Sequence, residues 1–392
     1  MSRRAIVFGL QTGGLALARS LGRSGVEVSG IALDPSDFGL RSRYLTEQRL
    51  VEAEGEHTDA IMEHLRQAAA RGPFALFPER DAHVELLLRH WDEVRELADM
   101  PLPDDPAATI ALRDKRTLPQ LAADAGLATP ASMEVPSPED VENGHLSFPF
   151  LLKPLDSERY AAVFREKVAL VGDVEEAKAA WDRATEAGFA LIAQELVPRS
   201  TDRIRSLFTY IDRAGRSLGT VVGRKVRQGP PFFGSSTVFT VEPDREVLES
   251  GLHLLASVGY RGFAHVELVR DPRDQRLKLL EVNTRLPVWA GLALSRYYDL
   301  GPLAFADLSG ERVEPLPPFE ERVSWTYLAK DVVTAARLLR RGKIGPRSFA
   351  RPYLEPHVPA VQAARDLGPT GALLRWGARR TFEKMAARLR SQ

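Results

Sequence analysis

The chain has 392 residues, enough for two or three domains, and 44% hydrophobic with 27% charged residues is typical of a globular protein. A net charge of zero gives no indication of a nucleic-acid partner, and the lack of cysteine excludes a disulfide framework, a thiolate zinc site and a catalytic thiol. The N-terminus lacks the apolar run of a signal peptide, and no stretch approaches about 18 apolar residues. We therefore expect a cytoplasmic protein without a transmembrane helix.

Residues 1–108 have the pattern of a doubly wound α/β domain with a parallel sheet. RRAIVFGL predicts a strand, LALARSLGRSG a helix and VEVSGIAL a second strand. The connecting turn GLQTGG is not a GxGxxG fingerprint, so we expect its glycines to allow a sharp turn rather than to bind a dinucleotide. An NAD(P)-dependent oxidoreductase would depend on this turn alone.

Residues 109–203 follow a turn-rich linker and predict a second unit. A helix over 109–126 carries Lys115, and the apolar strand FPFLLKP ends in Lys153. A lysine that closes a buried strand and precedes Pro is poorly explained as a surface residue. Lys153 is therefore the stronger candidate for a phosphate contact, whereas Lys115 could equally be a solvated helix residue.

Residues 204–310 predict a run of strands and a helix, ending in an antiparallel hairpin around DPRDQ. A five-residue loop would place Arg270 opposite Arg276 and His265 opposite Glu281. Glu267 would then be a diagonal neighbour of Glu281 on one face. A structural role suits His265 better than a metal-ligating one.

Glu281, Asn283 and Arg285 occupy every second position at the end of an apolar strand, so they share one face. With Glu267 they offer the hard oxygen ligands that suit Mg²⁺ or Mn²⁺, which usually also hold substrate phosphates. A salt-bridge ladder remains the alternative for any single carboxylate.

A basic segment, VVGRKVRQ, contains Arg224, Lys225 and Arg227. These residues could hold phosphate charge, or they could form a charged edge strand. The Gly/Pro-rich stretch QGPPFFGSST that follows could act as a lid.

These segments together resemble the ATP-grasp superfamily over roughly residues 1–310. The resemblance rests on the helix with Lys115, FPFLLKP, QELVP and HVELVRDPRDQRLKLLEVNTR. It points in particular to carboxylate–amine ligases of the D-aspartate ligase type and to carbamoyl-phosphate synthase large-chain ATP-binding domains. It implies an α/β and α+β protein with a pre-ATP-grasp domain, two ATP-grasp subdomains and a helical extension, at 1–108, 109–203, 204–310 and 311–392.

The resemblance also implies roles for individual residues. Arg285 would face the transferred phosphoryl group, with Arg224 and Arg227 lining the phosphate or the acceptor carboxylate. ATP would be contacted by Lys115, Lys153, Lys167, the hinge residues Gln194, Glu195, Leu196 and Val197, and Asp202 at the ribose; Mg²⁺ or Mn²⁺ would be held by Glu267, Glu281 and Asn283.

Two departures from the family pattern concern the phosphate site. No glycine lies between Lys153 and Gly172, where many members have a glycine-rich phosphate loop; Lys167 in this stretch matches a trait of the D-aspartate-ligase-like members. The segment NTRLP stands where the family more usually has NPR followed by an aromatic residue, but it keeps Asn283 and Arg285.

The resemblance implies an ADP-forming carbon–nitrogen ligase that activates a carboxylate as an acyl phosphate and joins it to an amine. Two alternatives stay open: bicarbonate or another phosphate acceptor, and a catalytically inactive nucleotide-binding module. Both substrates are expected to be small molecules.

The tail, residues 372–392, has six Arg or Lys and one Glu, with apolar residues that can share part of one helical face. We favour a helix that packs on its own domain or on the partner of a homodimer. The alternative is a helix that lies on an anionic membrane surface.

Overall fold

The computed structural model describes residues 4–51, 57–198, 203–230 and 233–390. The first domain is built on a four-stranded sheet in the order β3-β2-β1-β4, and all its strand pairs are parallel, as predicted. Its elements are β1 (Arg4–Phe8), α1 (Thr12–Arg23), β2 (Glu27–Ala32), β3 (Glu47–Leu50), α2 (His57–Ala70), β4 (Ala75–Pro78), α3 (Asp81–Arg89) and α4 (Trp91–Leu97).

The GLQTGG turn between β1 and α1 is closed by a carboxylate from the end of β4. Glu79 is buried and accepts hydrogen bonds from the backbone amides of Gln11 and Gly14, each at 2.8 Å. Gly9 has a φ of +98°, and a Cβ there would lie 2.9 Å from Glu79 Cβ. The glycines therefore serve the turn, and Glu79 already uses the amides that a dinucleotide phosphate would need.

Burial raises the pKa of Glu79 to about 7, against the opposing hydrogen bond from Gly14. The folded protein then holds a proton that the unfolded chain has lost, so stability should fall as the pH rises from about 4.5 to 7, by roughly 3 kcal/mol. Glu79→Gln should remove this slope, leaving a variant that is less stable than the wild type at pH 5 and closer to it, or above it, at pH 8. Urea unfolding between pH 5 and pH 8 measures the free energy of unfolding of both proteins. The same pH dependence in the wild type and in Glu79→Gln would contradict the raised pKa of Glu79.

The second unit has a four-stranded antiparallel sheet in the order β5-β8-β6-β7. The predicted helix over 109–126 is wrong: it breaks at Asp114, whose carboxylate accepts from the amide of Arg116 at 2.9 Å and competes with the helical bond. The elements are α5 (Ala107–Arg113), α6 (Leu118–Asp124), β5 (Ser132–Glu134), α7 (Pro138–Asn143), β6 (Phe150–Pro154), α8 (Ser157–Phe164), β7 (Ala169–Val171), α9 (Val174–Glu186) and β8 (Leu191–Glu195).

The third unit is a seven-stranded sheet in the order β13-β12-β9-β10-β11-β14-β15. The two last strands come from the C-terminal segment, which was predicted as purely helical. The elements are β9 (Ile204–Ile211), β10 (Ser217–Gly229), β11 (Ser235–Val241), α10 (Arg245–Ser257), β12 (Gly262–Arg270), β13 (Leu277–Asn283), α11 (Gly301–Leu308), β14 (Ser324–Thr326), α12 (Leu328–Arg340), α13 (Pro346–Leu354), β15 (His357–Pro359) and α14 (Gly368–Arg390).

The large sheet is covered on both faces, which fixes where its polar residues can emerge. One face packs against α10 and α6. The other packs against the first domain through an apolar cluster that includes Trp289, stacked on Phe239 with ring centroids 3.8 Å apart. A buried ion pair between Arg19 and Asp366, at 2.8 Å, joins α1 to the segment before α14. No helix in the described ranges is long and apolar enough to cross a bilayer.

Candidate active site

A cleft of about 1170 Å³ lies where the three sheets meet. The first domain contributes the start of α3, the second unit the ends of α5 and β6, and the third unit the hairpin β12–β13 with the middle of β10. Most of the predicted polar residues line it. The lining includes Asp81, Lys115, Lys153, Lys167, Lys225, Glu267, Glu281, Asn283 and Arg285.

The β12–β13 hairpin brings the two predicted carboxylates together, but its register differs from the prediction. Glu267 pairs directly with Glu281, and His265 with Asn283; the expected pairing of His265 with Glu281 is wrong. The loop has six residues rather than five, and the register shifts between Glu267 and Leu268, where a bulge leaves Leu280 unpaired. The two glutamates are therefore opposite neighbours, with Cα atoms roughly 5 Å apart, and not diagonal ones.

The charges around Glu281 keep it ionised. Burial alone would raise its pKa, but nearby lysines outweigh this effect and hold the pKa of Glu281 at about 2. The Asn283 amide also donates to Glu281 Oε1 at 3.2 Å. The lysines are Lys225, Lys153 and Lys167.

Two carboxylates that face each other, with an amide oxygen beside them, fit a divalent cation. Within the described ranges, no group of three His, Asp or Glu side chains could hold a metal by itself. This matches Mg²⁺, which usually binds through one or two carboxylates and completes its shell with water and substrate phosphate. Glu267, Glu281 and Asn283 are the residues that would hold it.

Lys225, named from the sequence among the basic candidates but given no role by the family resemblance, lines the cleft. Its ammonium lies 2.8 Å from Glu267 Oε2, and both side chains are about 10% exposed. His265 Nε2 lies 3.5 Å from the other oxygen of Glu267. Burial lowers the pKa of His265 to about 4, so this histidine is neutral at pH 7. The structural role expected for His265 stays a prediction.

Arg285 is held by a carboxylate from the first domain. Asp81 accepts from Arg285 Nη2 through one oxygen and from Arg113 Nη1, at 2.8 Å, through the other. Arg285 Nη2 also donates to Asn283 Oδ1 at 3.2 Å, leaving the second lone pair of that oxygen for a cation. Burial would raise the pKa of Asp81, but the two guanidinium groups hold it well below its usual value. Asp81 follows β4 by three residues, and that position was the only signal for it in the sequence.

The three predicted ATP lysines all line the cleft. Lys115 lies in the turn between α5 and α6, where its ammonium donates to Leu155 O at 2.8 Å and to Ser157 Oγ at 3.3 Å. Burial lowers the pKa of Lys115. Lys153 ends β6, and Lys167 lies in the loop before β7. Lysines from three separate segments thus line the cleft together with the glutamate pair.

The predicted hinge residues do not lie among the residues that line this cleft. Gln194 and Glu195 are at the end of β8, and the amide of Glu195 already donates to Ala131 O at 2.8 Å. The Glu195 carboxylate is bound by Arg273 and lies 3.5 Å from the Lys278 ammonium. Adenine recognition by this segment, including Leu196 and Val197, stays a prediction, and Asp202 lies outside the described residues.

Arg224 and Arg227 are not brought into the cleft wall. Arg224 lies on the opposite face of β10 from Lys225 and binds Glu242 at 2.6 Å. Arg227 is buried and makes two hydrogen bonds, of 2.8 and 2.7 Å, to Asp331 on α12. Alternation therefore puts Lys225 on the face opposite Arg224, and the register shift between Lys225 and Arg227 breaks the alternation that would otherwise put Arg227 on the same face as Lys225. The predicted lid contributes residues 233–236 to the lining.

Substitutions on β10 test which face carries the chemistry. Lys225→Met should reduce turnover at least about 100-fold, since it removes a fixed positive charge from the site. Arg224→Met, one residue away on the other face, should change turnover less than about threefold. Steady-state ADP release measures both, and equal losses would contradict the assignment of the faces.

Comparison with known proteins places this geometry in a family context. No family model matches the sequence. The chain is 27% identical over 218 residues to D-aspartate ligase from Enterococcus faecium (strain Aus0004), covering 52% of this chain and 51% of that protein. It thus matches about half the length of this curated relative.

Solved structures extend the likeness to most of the chain. An L-amino acid ligase from Bacillus licheniformis matches with a TM-score of 0.59 and 18% identity, over 79% of this chain and 76% of that one. An ADP complex of the N5-carboxyaminoimidazole ribonucleotide synthetase purK matches with a TM-score of 0.65 and 12% identity, over 87% and 85%. The chain therefore has the ATP-grasp fold and resembles carboxylate–amine ligases of the D-aspartate ligase type.

Proposed function

We propose that this protein is an ATP- and Mg²⁺-dependent ligase that activates a carboxylate as an acyl phosphate and joins it to an amine, releasing ADP and phosphate. The observation that carries the proposal is the facing pair Glu267–Glu281. Lysines line the cleft around this pair, and Arg285 lies two residues beyond the end of β13, the strand that carries Glu281. The sequence likeness to D-aspartate ligase supports the choice of carboxylate and amine as the reactants.

In the first step, a carboxylate oxygen of the substrate attacks the γ-phosphorus of ATP. The bond from that phosphorus to the β,γ-bridging oxygen breaks, and ADP leaves. Negative charge builds up on the transferred group, so positive groups that are already in position lower the barrier. Lys153 and Lys167 line the side of the cleft formed by the second unit, and Arg285 lies on the side of the hairpin.

In the second step, the amine nitrogen attacks the acyl carbon, the bond to the phosphate oxygen breaks, and inorganic phosphate leaves. The nitrogen gives up one proton to the departing phosphate or to water. No side-chain nucleophile is needed, so positioning of the two substrates accounts for the rate. This agrees with a site made of lysines, an arginine and carboxylates.

A bound Mg²⁺ would supply charge neutralisation for the ATP phosphates. Glu267 and Glu281 would hold it, with Asn283 as the neighbouring oxygen donor. Lys225 would hold the Glu267 carboxylate in place, since the two groups are 2.8 Å apart. The neutral His265 next to Glu267 leaves the negative charge of the pair available for the metal.

The test is ADP and phosphate release by the purified chain with ATP, Mg²⁺, D-aspartate and a panel of amines, followed by mass spectrometry of the product. The proposal predicts an amide whose mass equals that of the two substrates minus water. A carboxylated or phosphorylated product with bicarbonate would show a different acceptor. ATP binding without turnover over a broad set of acids and amines would identify a nucleotide-binding module instead.

A further inference from the structure

Basic and exposed apolar residues are concentrated at the C-terminal side of the large sheet. Residues 332–354 contain six Arg or Lys and no Asp or Glu, although the whole chain is neutral. The helix that leads into this segment also exposes apolar side chains: Leu328, Val332 and Val333 are 43%, 47% and 53% exposed. Large apolar side chains this exposed on one helix usually mark an interaction surface.

The exposed face belongs to α12, whose opposite side is firmly packed. Asp331, Thr334 and Ala335 are buried against the sheet. At 100° per residue, Val333 lies on the side away from these three and Val332 lies between the two sides, whereas Leu328 is exposed because it begins the helix, one turn before the buried residues. Near its C-terminal end, the outward side also carries Arg337 and Arg340, both of which are exposed.

A buried network holds α12 in place, so its outer face is a rigid surface. Asp331 makes two hydrogen bonds with Arg227 and accepts a third from Thr237 Oγ1 at 2.7 Å. Tyr353 Oη on α13 donates to the same carboxylate at 2.7 Å. The network joins α12 and α13 to β10 and β11, and the helix needs no folding step before it binds a partner.

The charges on this surface select the partner. Five exposed basic residues follow the apolar face and bind no carboxylate in the part of the chain that the structure describes: Arg337, Arg340, Arg341, Lys343 and Arg347. A symmetric second copy would bring these like charges together, because a two-fold interface pairs the same patch with itself. An anionic bilayer meets both requirements, since it accepts apolar side chains below a negatively charged surface.

We propose that the outer face of α12, with the basic residues up to Arg347, docks on an anionic lipid bilayer. The apolar residues insert at the level of the headgroups, and the arginines and lysines contact lipid phosphates. This proposal does not depend on the reaction assigned to the cleft. It gives the C-terminal segment a second role, beyond adding two strands to the sheet.

Flotation of the full-length protein with phosphatidylcholine vesicles, with and without phosphatidylglycerol, tests the proposal. We expect binding to the anionic vesicles only, weakened by high salt. Val332→Ser with Val333→Ser should lower the partition coefficient roughly tenfold. Arg337→Glu with Arg340→Glu should abolish binding. Val163→Ser, at a 55% exposed site on α8, and Arg95→Glu on α4 are matched controls that should bind like the wild type.

Three results would overturn the proposal. The first is that the wild-type protein does not bind anionic vesicles, and the second is that the α12 variants bind them as well as the controls do. The third is a concentration-dependent dimer, seen by sedimentation velocity, that the valine substitutions dissociate while vesicle binding is absent; this would identify a second copy as the partner. The thermal unfolding midpoint of each variant in the absence of vesicles should equal that of the wild type, which shows that the fold is intact.

Discussion

Replacing Glu281 with Gln should lower the rate of ATP-dependent ADP release by at least about 100-fold. The substitution keeps the size of the side chain and its neighbour Asn283, but it removes one of the two charges that face each other across the hairpin. The lysines around the site would then lose one of their two counter-charges, and the affinity for Mg²⁺ should fall. Titration of activity with MgCl₂ should therefore give a midpoint at higher concentration.

Glu242→Gln is the matched control for this experiment. Glu242 follows β11 and pairs with Arg224 and Arg205 on the sheet face away from the cleft. Both substitutions remove one carboxylate charge near a basic group, but only one touches the site. A Glu281→Gln variant with normal turnover and a normal Mg²⁺ midpoint would rule out the metal assignment.

Asp81→Asn should lower kcat about 10- to 100-fold while the KM for ATP changes only a few-fold. Asp81 does not act on ATP itself in this account; it is a positioning residue that fixes the guanidinium of Arg285. Asn keeps the shape but binds only one of the two arginines well and has no charge to orient them. Asp81→Glu should recover part of the lost kcat, because it restores the charge at a slightly displaced position.

The ion pair between Asp81 and Arg285 also gives a prediction for the pH dependence of stability. The pKa of Asp81 is depressed in the folded protein, so its contribution is present above the unfolded value, near 4, and is lost as the pH falls further. Asp81→Asn should therefore cost about 1–3 kcal/mol at pH 7 and less at pH 3. Asp99→Asn serves as the control. It breaks the ion pair between Asp99 and Arg213, which is more exposed than that of Asp81, and the expected loss of stability is under about 1 kcal/mol. A constant difference across this pH range for Asp81→Asn would contradict the ion-pair assignment.

The sequence was sufficient to predict the fold class, with a parallel sheet in the N-terminal part of the chain. Apolar strands with polar ends predicted the hairpin, and both glutamates line one cleft with Lys115, Lys153 and Lys167. These inferences depend on local periodicity and on chemical type, which survive small errors in alignment between strands.

Whatever depended on strand register was predicted less well. The bulge at Leu280 and the sixth loop residue shift the glutamates from diagonal to direct partners. The face of β10 that points into the cleft depends on pairing with β9 and β11, so the choice between Arg224, Lys225 and Arg227 could not be made from the segment alone. Asp81 is 204 residues from Arg285 in the chain, and only the packing of the first domain shows the pairing.

The most direct test of the central claim uses a carboxylate labelled with ¹⁸O. The protein is incubated with ATP, Mg²⁺, an amine and D-aspartate carrying ¹⁸O in its carboxyl groups, and other labelled amino acids follow if D-aspartate is not consumed. The released phosphate is examined by ³¹P NMR. Activation as an acyl phosphate predicts one ¹⁸O atom in each phosphate, together with ADP. Product formation with unlabelled phosphate, or with AMP and pyrophosphate in place of ADP, would contradict the account.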